Sequence, residues 1–337
     1  MNHSEHPLRL ALIGPGAIGK VWAKAFAKTP QVRLSAVAGL RVEDAEQITR
    51  DFEGAKPSAK WKEVIADPEV DAIVVATPHA LLAEMSTAAL QAGKHVLCEK
   101  PAGIAIKEIQ KAMAAAKRKK RVYMIGFNHR YHPAYIKARE VVKEGRIGKI
   151  LSMRMRYGFG GRPGYNKEWR FNRKISGGGH LMDQGIHLID LARTFVGDFK
   201  DVKGFAENLY WGGSVEDNGF LLLRTKSHQV VQLHASITNW DWIHSTEIFG
   251  TKGYLTIDGL DSRYRGPERL TIGTVNPQST EFPKEEVIAF ADERKEDSFA
   301  RQLAVFCDAV QRKKTAYPGG QDAIQALKII HRIYRQR

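Results

Sequence analysis

A chain of 337 residues that is 43% apolar and 26% charged has the composition of an ordinary globular protein, and it exceeds the ~250–300 residues at which single cores stop growing, so two domains are expected. No apolar run approaches the ~18 residues of a membrane span, and two cysteines, Cys98 and Cys307, exclude a disulfide framework and point to a reducing compartment. The net charge of +15 raises the question of nucleic acid, but no zinc spacing or other nucleic-acid module accompanies it.

Residues 1–7 lack the apolar core of a signal peptide, so a cytoplasmic protein is expected. From there the first 130 residues alternate short apolar strands (8–13, 32–38, 72–76, 95–98, 122–127) with amphipathic helices (18–28, 81–92, 104–119). Such alternation, with strands apolar on both faces, predicts a doubly wound parallel sheet, an α/β Rossmann domain over 1–130. Gly93 stands where a helix C-terminus is expected, and Pro101 follows a strand at a turn. The run Lys117-Arg118-Lys119-Lys120-Arg121 ends a predicted helix, where cations suit the macrodipole and face solvent.

After the helix near 132–144 the texture changes. Period-two stretches at 151–157, 220–224, 230–235, 246–249 and 254–257 predict a large open, mostly antiparallel sheet, and helices return at 299–312 and 322–335. The second domain, 131–337, is therefore α+β, with its last helices free to pack back on the first.

Gly14-Pro15-Gly16-Ala17-Ile18-Gly19 fits G-x-G-x-x-G between the first strand and first helix. The first two glycines allow a tight turn and close approach to a pyrophosphate, and the third allows close helix–strand packing. The phosphates would sit at the helix N-terminus. An NAD(P) cofactor follows. At the end of the second strand an acid would accept from the ribose 2′-OH of NAD, whereas an arginine would suit the 2′-phosphate of NADP. This chain has Gly39-Leu40-Arg41, which tips the expectation slightly towards NADP, although Arg41 facing solvent remains open.

Lys100, in Glu99-Lys100-Pro101, ends a strand at the edge of the parallel sheet where ligands of α/β proteins bind. Asp183 and His187 are four apart in an apolar run (Leu181, Met182, Ile186, Leu188, Ile189, Leu191) that reads as a largely buried helix. Residues at that spacing share a face, so a carboxylate and an imidazole project together. A satisfied core histidine is the plain reading; an acid–base couple beside a cofactor is the functional one. Between 157 and 173 lie Tyr157, Arg162, Tyr165, Trp169, Arg170 and Arg173, rings for a sugar or base and cations for phosphate, or simply a packed loop. Asn128 and His132 stand at the domain junction, where a pocket is expected. The Gly177-Gly178-Gly179 run is expected to let backbone approach a ligand. Trp240 and Trp242, at a strand end, are read as core or oligomer packing, and no histidine spacing suggests a metal site.

The segments 70–79 (ending Thr77-Pro78-His79), 92–101, Gly126-Phe127-Asn128-His129-Arg130-Tyr131-His132-Pro133, 176–190 and Ile248-Phe249-Gly250-Thr251-Lys252-Gly253 together resemble the Gfo/Idh/MocA oxidoreductase family over essentially the full length. The resemblance implies a Rossmann domain, a C-terminal domain whose open sheet often mediates association, and NAD(P)-linked oxidation or reduction of a sugar-like alcohol or ketone. It implies catalytic Lys100, Asp183 and His187, and places Thr77, Pro78, His79 and Glu99 beside the cofactor. At Gly39 the chain departs from relatives that carry an acid or serine. The wording of 164–170 and Val215-Glu216-Asp217-Asn218 is similar to members from surface-polysaccharide pathways, which implies a nucleotide-sugar substrate.

The expectation is thus a cytoplasmic NAD(P)-dependent oxidoreductase working on a ring hydroxyl or ketone of a nucleotide sugar. It would be a homo-oligomer, dimer or tetramer, through the C-terminal sheet, with no nucleic-acid, membrane or metal partner. A free polyol, inositol or aldose is the alternative substrate. A non-catalytic dinucleotide-sensing regulator is the alternative class, disfavoured by the joint presence of Lys100, Asp183 and His187. Either His187 or Lys100 is the proton acceptor on these grounds.

Overall fold

The structure, a computed structural model, describes residues 6–260, 264, 266–290 and 295–336; most of the N-terminal stretch read for a leader lies outside them. The chain divides into two compact units, one of Met1–Asn128 with Phe299–Ile324, the other of His129–Ser298 with Gln325–Arg337.

In the first unit β1 (Leu8–Ile13), α1 (Ala17–Ala27), β2 (Val32–Ala38), α2 (Val42–Thr49), β3 (Lys56–Ser58), α3 (Trp61–Ala66), β4 (Ala72–Val75), α4 (His79–Gln91), β5 (His95–Glu99), α5 (Ile106–Lys119) and β6 (Tyr123–Gly126) follow in order. The six strands are parallel in the order β3-β2-β1-β4-β5-β6. Sequence order reverses between β1 and β4, and a crevice at such a switch point is where α/β sheets bind nucleotides. The central strands are largely apolar, as expected where helices cover both faces: every residue of β4 is buried. The C-terminal stretch also seals this unit, with Gln302 Nε2 donating to the Ile125 carbonyl (2.7 Å) and Ile125 N–H to the Pro318 carbonyl (2.8 Å) beyond β6. Cys98 and Cys307 are both buried here as free thiols.

The second unit contains α6 (Pro133–Lys143), β7 (Ile150–Gly158), α7 (Arg173–Ser176), a single π-helical turn Leu181–Gly185, α8 (Ile186–Val196), and then β8 (Phe199–Glu207), β9 (Asn218–Thr225), β10 (Val230–Ser236), β11 (Ile243–Gly250), β12 (Gly253–Asp258), β13 (Glu268–Thr274) and β14 (Lys284–Phe290). Two helices close the chain, α9 (Lys295–Gln311) and α10 (Gly320–Tyr334), each divided between the units. The eight strands run β14-β13-β12-β11-β7-β10-β9-β8, all antiparallel except the β7–β10 pair. On one face Met153, Met155, Leu221, Leu223, Val231 and Leu233 are buried; their alternates are exposed or half-buried. The expected doubly wound domain and open, mostly antiparallel sheet are both present.

The run read as one continuous helix over Leu181–Leu191 instead begins with the π turn. Its Leu181 packs where Gly185 and Gly219 leave room: a Cβ on Gly219 would lie 3.0 Å from the Leu181 side chain, and one on Gly185 2.7 Å. Wide turns of this kind are rare and concentrate at functional sites.

Candidate active site

In the first unit the glycine loop has the geometry its sequence demands. Gly14 has φ +104°, and a Cβ there would lie 2.5 Å from the Ala76 carbonyl oxygen. A Cβ on Gly19 would stand 2.0 Å from the Gly14 oxygen, so that glycine serves the helix–strand contact. Gly16 differs: a Cβ there meets nothing within 4 Å. This open face at the N-terminus of α1, with Ala17 and Ile18 opening the helix, is the cradle a pyrophosphate requires. Thr77, just beyond β4, has a buried hydroxyl with no hydrogen-bond partner among the described residues. It stands at the C-terminal ends of the strands beside Pro78, the N-cap of α4, and buried His79. An open cradle and an orphaned hydroxyl at the ligand edge fit a dinucleotide.

At the end of β2, Gly39 is bare because Pro15 of the glycine loop lies over it: a Cβ would fall 2.7 Å from Pro15 Cγ. A side chain at this position would collide with the loop. Arg41, half a turn ahead of α2, is exposed and paired to Asp44 through Nε (3.0 Å) and a terminal nitrogen (2.8 Å).

Glu99 buries its carboxylate, with Oε1 accepting from Trp22 Nε1 (2.9 Å) and Oε2 from the Lys100 N–H (3.2 Å). That ties fully buried Trp22 of α1, itself edge-on to Phe299 at 4.9 Å, to the end of β5. Lys100 follows the strand, half-buried, and its peptide to Pro101 is cis. Asn128 is buried at the end of this unit.

In the second unit Asp183 sits in the π turn and His187 in the first turn of α8, both buried. Asp183 Oδ2 accepts from Arg170 Nε (3.2 Å) and Gln184 Nε2 (3.3 Å). The His187 ring lies flat on His129, centroids 4.0 Å apart and planes 14° from parallel, with Tyr157 edge-on at 6.5 Å. His132, the N-cap of α6, places Nδ1 3.4 Å from Glu268 Oε2.

The loop before the glycine triplet is a closed set of ion and ring contacts. Arg162 pairs with Glu168 and lies over Tyr165 at 4.9 Å; Arg170 reaches Glu168 at 3.4 Å and covers Trp169 at 4.6 Å. Burial opposes the charge on Arg170, but Asp183, Tyr165 and Glu168 outweigh it and raise its pKa above the ordinary value. Burial, reinforced by Asp183, also lifts the Tyr165 phenol above its usual range. Tyr165, Arg170, Phe171, His180, Asp183 and Ile237 line one small recess.

The glycine triplet serves a different purpose from the one expected. A Cβ on Gly179 would lie 1.8 Å from the Glu216 oxygen and one on Gly178 2.0 Å from Tyr334 Oη, so the close approach is to the protein itself. Glu216 Oε1 accepts from Gly179 N–H (2.8 Å) and from Tyr334 Oη–H (2.6 Å). Sequence reasoning also overlooked Glu268 and the bidentate pair of Arg130 with Asp190 (2.7 and 2.5 Å), whose partners are far apart in the chain.

Comparison with known proteins agrees with both units. Residues 8–127 match the oxidoreductase family with an NAD-binding Rossmann fold, and residues 135–256 the GFO/IDH/MocA C-terminal domain. The chain belongs to the Gfo/Idh/MocA family of oxidoreductases. Among curated relatives, levoglucosan dehydrogenase of Pseudarthrobacter phenanthrenivorans is 37% identical over 205 residues, 58% of this chain and 53% of that enzyme. Inositol 2-dehydrogenase of Rhizobium meliloti is 25% identical over 328 residues, covering 96% of this chain and 94% of that one. A solved levoglucosan dehydrogenase in complex with NADH and levoglucosan superposes with a TM-score of 0.88 at 26% identity, over 98% of each chain. This family member is accordingly an NAD(P)-dependent oxidoreductase. No helix among its described residues is long and apolar enough to cross a membrane.

Proposed function

We propose that this protein is a dehydrogenase or reductase of a free sugar, anhydrosugar or polyol. The observation that carries the substrate class is the neutralised arginine loop. A nucleotide sugar's phosphates would need free cations in this loop, and Glu168 and Asp183 already occupy Arg162 and Arg170. The named relatives that act on levoglucosan and inositol point to the same class.

The nicotinamide, when bound, supplies the hydride acceptor. Gly14, Gly16 and Gly19, with Ala17 and Ile18, hold its pyrophosphate, and Thr77, Pro78, His79 and Glu99 border it. Loss of hydride from a carbinol carbon requires that the hydroxyl proton leave too. His187 is the acid–base group, since an imidazole has the suitable intrinsic pKa. Lys100 stabilises the developing alkoxide. Asp183, held by Arg170 and Gln184, accepts from sugar hydroxyls. We assign His132, Tyr157, Tyr165 and Trp169, and Asn128 of the first unit, to substrate binding. Arg41, with no acid at position 39, favours NADP, whose 2′-phosphate must compete with Asp44.

The solvent face of the sheet carries exposed Phe205, Phe220, Leu222 and Val230 on adjacent strands, which supports pairing of copies there.

The test is a panel of free sugars, anhydrosugars, inositols and nucleotide sugars, each with NAD and NADP, followed by reduced-cofactor absorbance. Turnover of a free sugar or polyol is expected, and His187→Asn lowers kcat by about a hundredfold or more with dinucleotide affinity unchanged. Turnover of nucleotide sugars alone refutes the substrate class. A loss under tenfold in His187→Asn moves the proton to Lys100.

A further inference from the structure

His187 belongs to a group of buried imidazoles in the second unit with His129, His132 and His244, each at most 3% exposed. His129 is the centre of this group. Its ring lies flat on His187, as described above. Three further rings meet it edge-on: His132 (5.4 Å, 87°), Tyr157 (5.2 Å, 66°) and His244 (5.8 Å, 80°).

Each of the three is tied to a different strand. His132 is anchored by Glu268 of β13, whose other oxygen accepts the Ala134 N–H at the start of α6 (3.3 Å). Tyr157 of β7 lies 3.4 Å from the Tyr264 hydroxyl. His244 of β11 is fixed at both nitrogens: Nδ1 is 3.1 Å from the Gly259 carbonyl oxygen, and Nε2 is 3.3 Å from the Tyr135 hydroxyl, itself 2.6 Å from Thr246 Oγ1. A carbonyl only accepts, so Nδ1 carries the hydrogen, which leaves Nε2 as the acceptor in the neutral ring.

The carboxylates of this region have named partners outside the stack. Asp190 holds Arg130 in a bidentate pair, Asp183 holds Arg170, and Glu268 faces His132. One proton on the stacked rings places a cation against a π face, which is favourable. A second would put two like charges about a ring thickness apart in a buried setting, which is costly.

We propose that His129 is the positioning residue for His187: its ring holds the plane of the His187 imidazole, and the two rings share at most one proton near neutral pH. When neither ring carries a proton the stack presents His187 as the neutral base, and the imidazolium formed when it takes the substrate's proton lies against the π face of His129. This rests on the dehydrogenase reading only for its kinetic consequence; the coupled titration stands on the geometry of this unit alone.

Two variants separate the parts. In the full-length protein carrying ring-labelled histidine, NMR titration should show the His129–His187 pair losing its protons in two steps about one pH unit or more apart. In His129→Phe, which keeps a flat ring but cannot bind a proton, His187 should titrate in a single step. With a turned-over sugar, His129→Ala should lower kcat at least about tenfold with KM nearly unchanged. His129→Phe should restore most of kcat while shifting the acid limb of the kcat/KM profile. The proposal fails where His187 titrates identically in wild type and His129→Phe, or where the Ala and Phe variants have equal kcat. Absence of turnover with every sugar counts against the dehydrogenase reading, and the NMR titration then decides the pair by itself.

Discussion

Asp217→Asn tests whether the turn beside the recess is held by one buried carboxylate. Asp217 is fully buried; its Oδ1 accepts from the Leu209 N–H and Asn218 Nδ2 (both 2.9 Å), and its Oδ2 from the Tyr210 and Trp211 N–H groups (both 2.8 Å). Burial alone would raise its pKa, but the donors of Leu209, Trp211, Asn218 and Tyr210 overcome that and hold it below the ordinary carboxylate value. An asparagine has one oxygen, so either orientation of its amide turns an NH2 onto two donors. The backbone donors are only part-buried, so leaving two donors unmatched costs about 1 kcal/mol each, the low end of the usual range, or about 2 kcal/mol together. For units of this size that lowers Tm by at least about 4 °C. The turn carries Trp211, whose indole N–H donates to the Ile237 carbonyl (2.9 Å) and whose ring lies 6.4 Å from Tyr165, so KM for the sugar should rise several-fold with kcat little changed. Scanning calorimetry and steady-state kinetics read both effects. Because the folded pKa is depressed, the stabilisation from Asp217 is present above the ordinary carboxylate value and is lost as pH falls through the folded one. The gap between wild type and variant should therefore narrow in acid. A Tm within about 1 °C of wild type at neutral pH would show that the four donors do not depend on this charge.

Arg41→Ala should weaken NADP binding about tenfold, the worth of one charged hydrogen bond, and leave NAD binding within twofold; equal effects on both cofactors would remove Arg41 from the choice. Burial pushes both thiols, Cys98 and Cys307, up to about 12, so neither should react with a thiol reagent in the native protein and both should react on unfolding; fast native labelling would contradict this. Burial, and then repulsion from Arg121, lowers His95 to about 4, and its Nδ1 accepts the Val122 N–H (3.0 Å). The unfolded chain takes up this proton near the ordinary value of about 6.5, so His95 costs the native state stability as pH falls from there to about 4. In His95→Gln that part of the acid-side loss should vanish from a urea-unfolding series, and an unchanged slope would refute it.

The elements legible in the sequence are those whose burial is written into consecutive residues. β1, β2, β4 and β5 are apolar on both faces, and the glycine loop declares itself by the steric demands of Gly14 and Gly19. β3, with only Lys56-Pro57-Ser58, and the edge strands β8 and β14 carry weaker patterns, because an edge residue needs no partner on its outer side. The Asp183…His187 spacing was visible, but not that a π turn begins the helix, since that depends on the fit of Leu181 against Gly185 and Gly219. The glycine triplet was misread for a similar reason: Glu216 and Tyr334, the groups it admits, come from distant parts of the chain.

The arginines show most clearly where composition misleads about chemistry. A net charge of +15 and a loop with Arg162, Arg170 and Arg173 invite an anionic substrate. Charge attracts a ligand only to the extent that the protein has not already spent it. Arg162 and Arg170 meet Glu168 and Asp183, while Arg173 lies 5.5 Å over the Tyr334 ring. Residues six and thirteen apart make these pairs, one flanking the short turn Tyr165–Lys167 and the other reaching out of the turn Trp169–Phe171, so no helical or strand period announces them. A phosphate arriving here would have to separate an existing ion pair and take the arginine from a buried carboxylate. A neutral sugar hydroxyl can instead donate to Asp183 without displacing Arg170, because a carboxylate has lone pairs to spare. The same arginines that suggested a nucleotide sugar in the sequence thus favour an uncharged one in the fold.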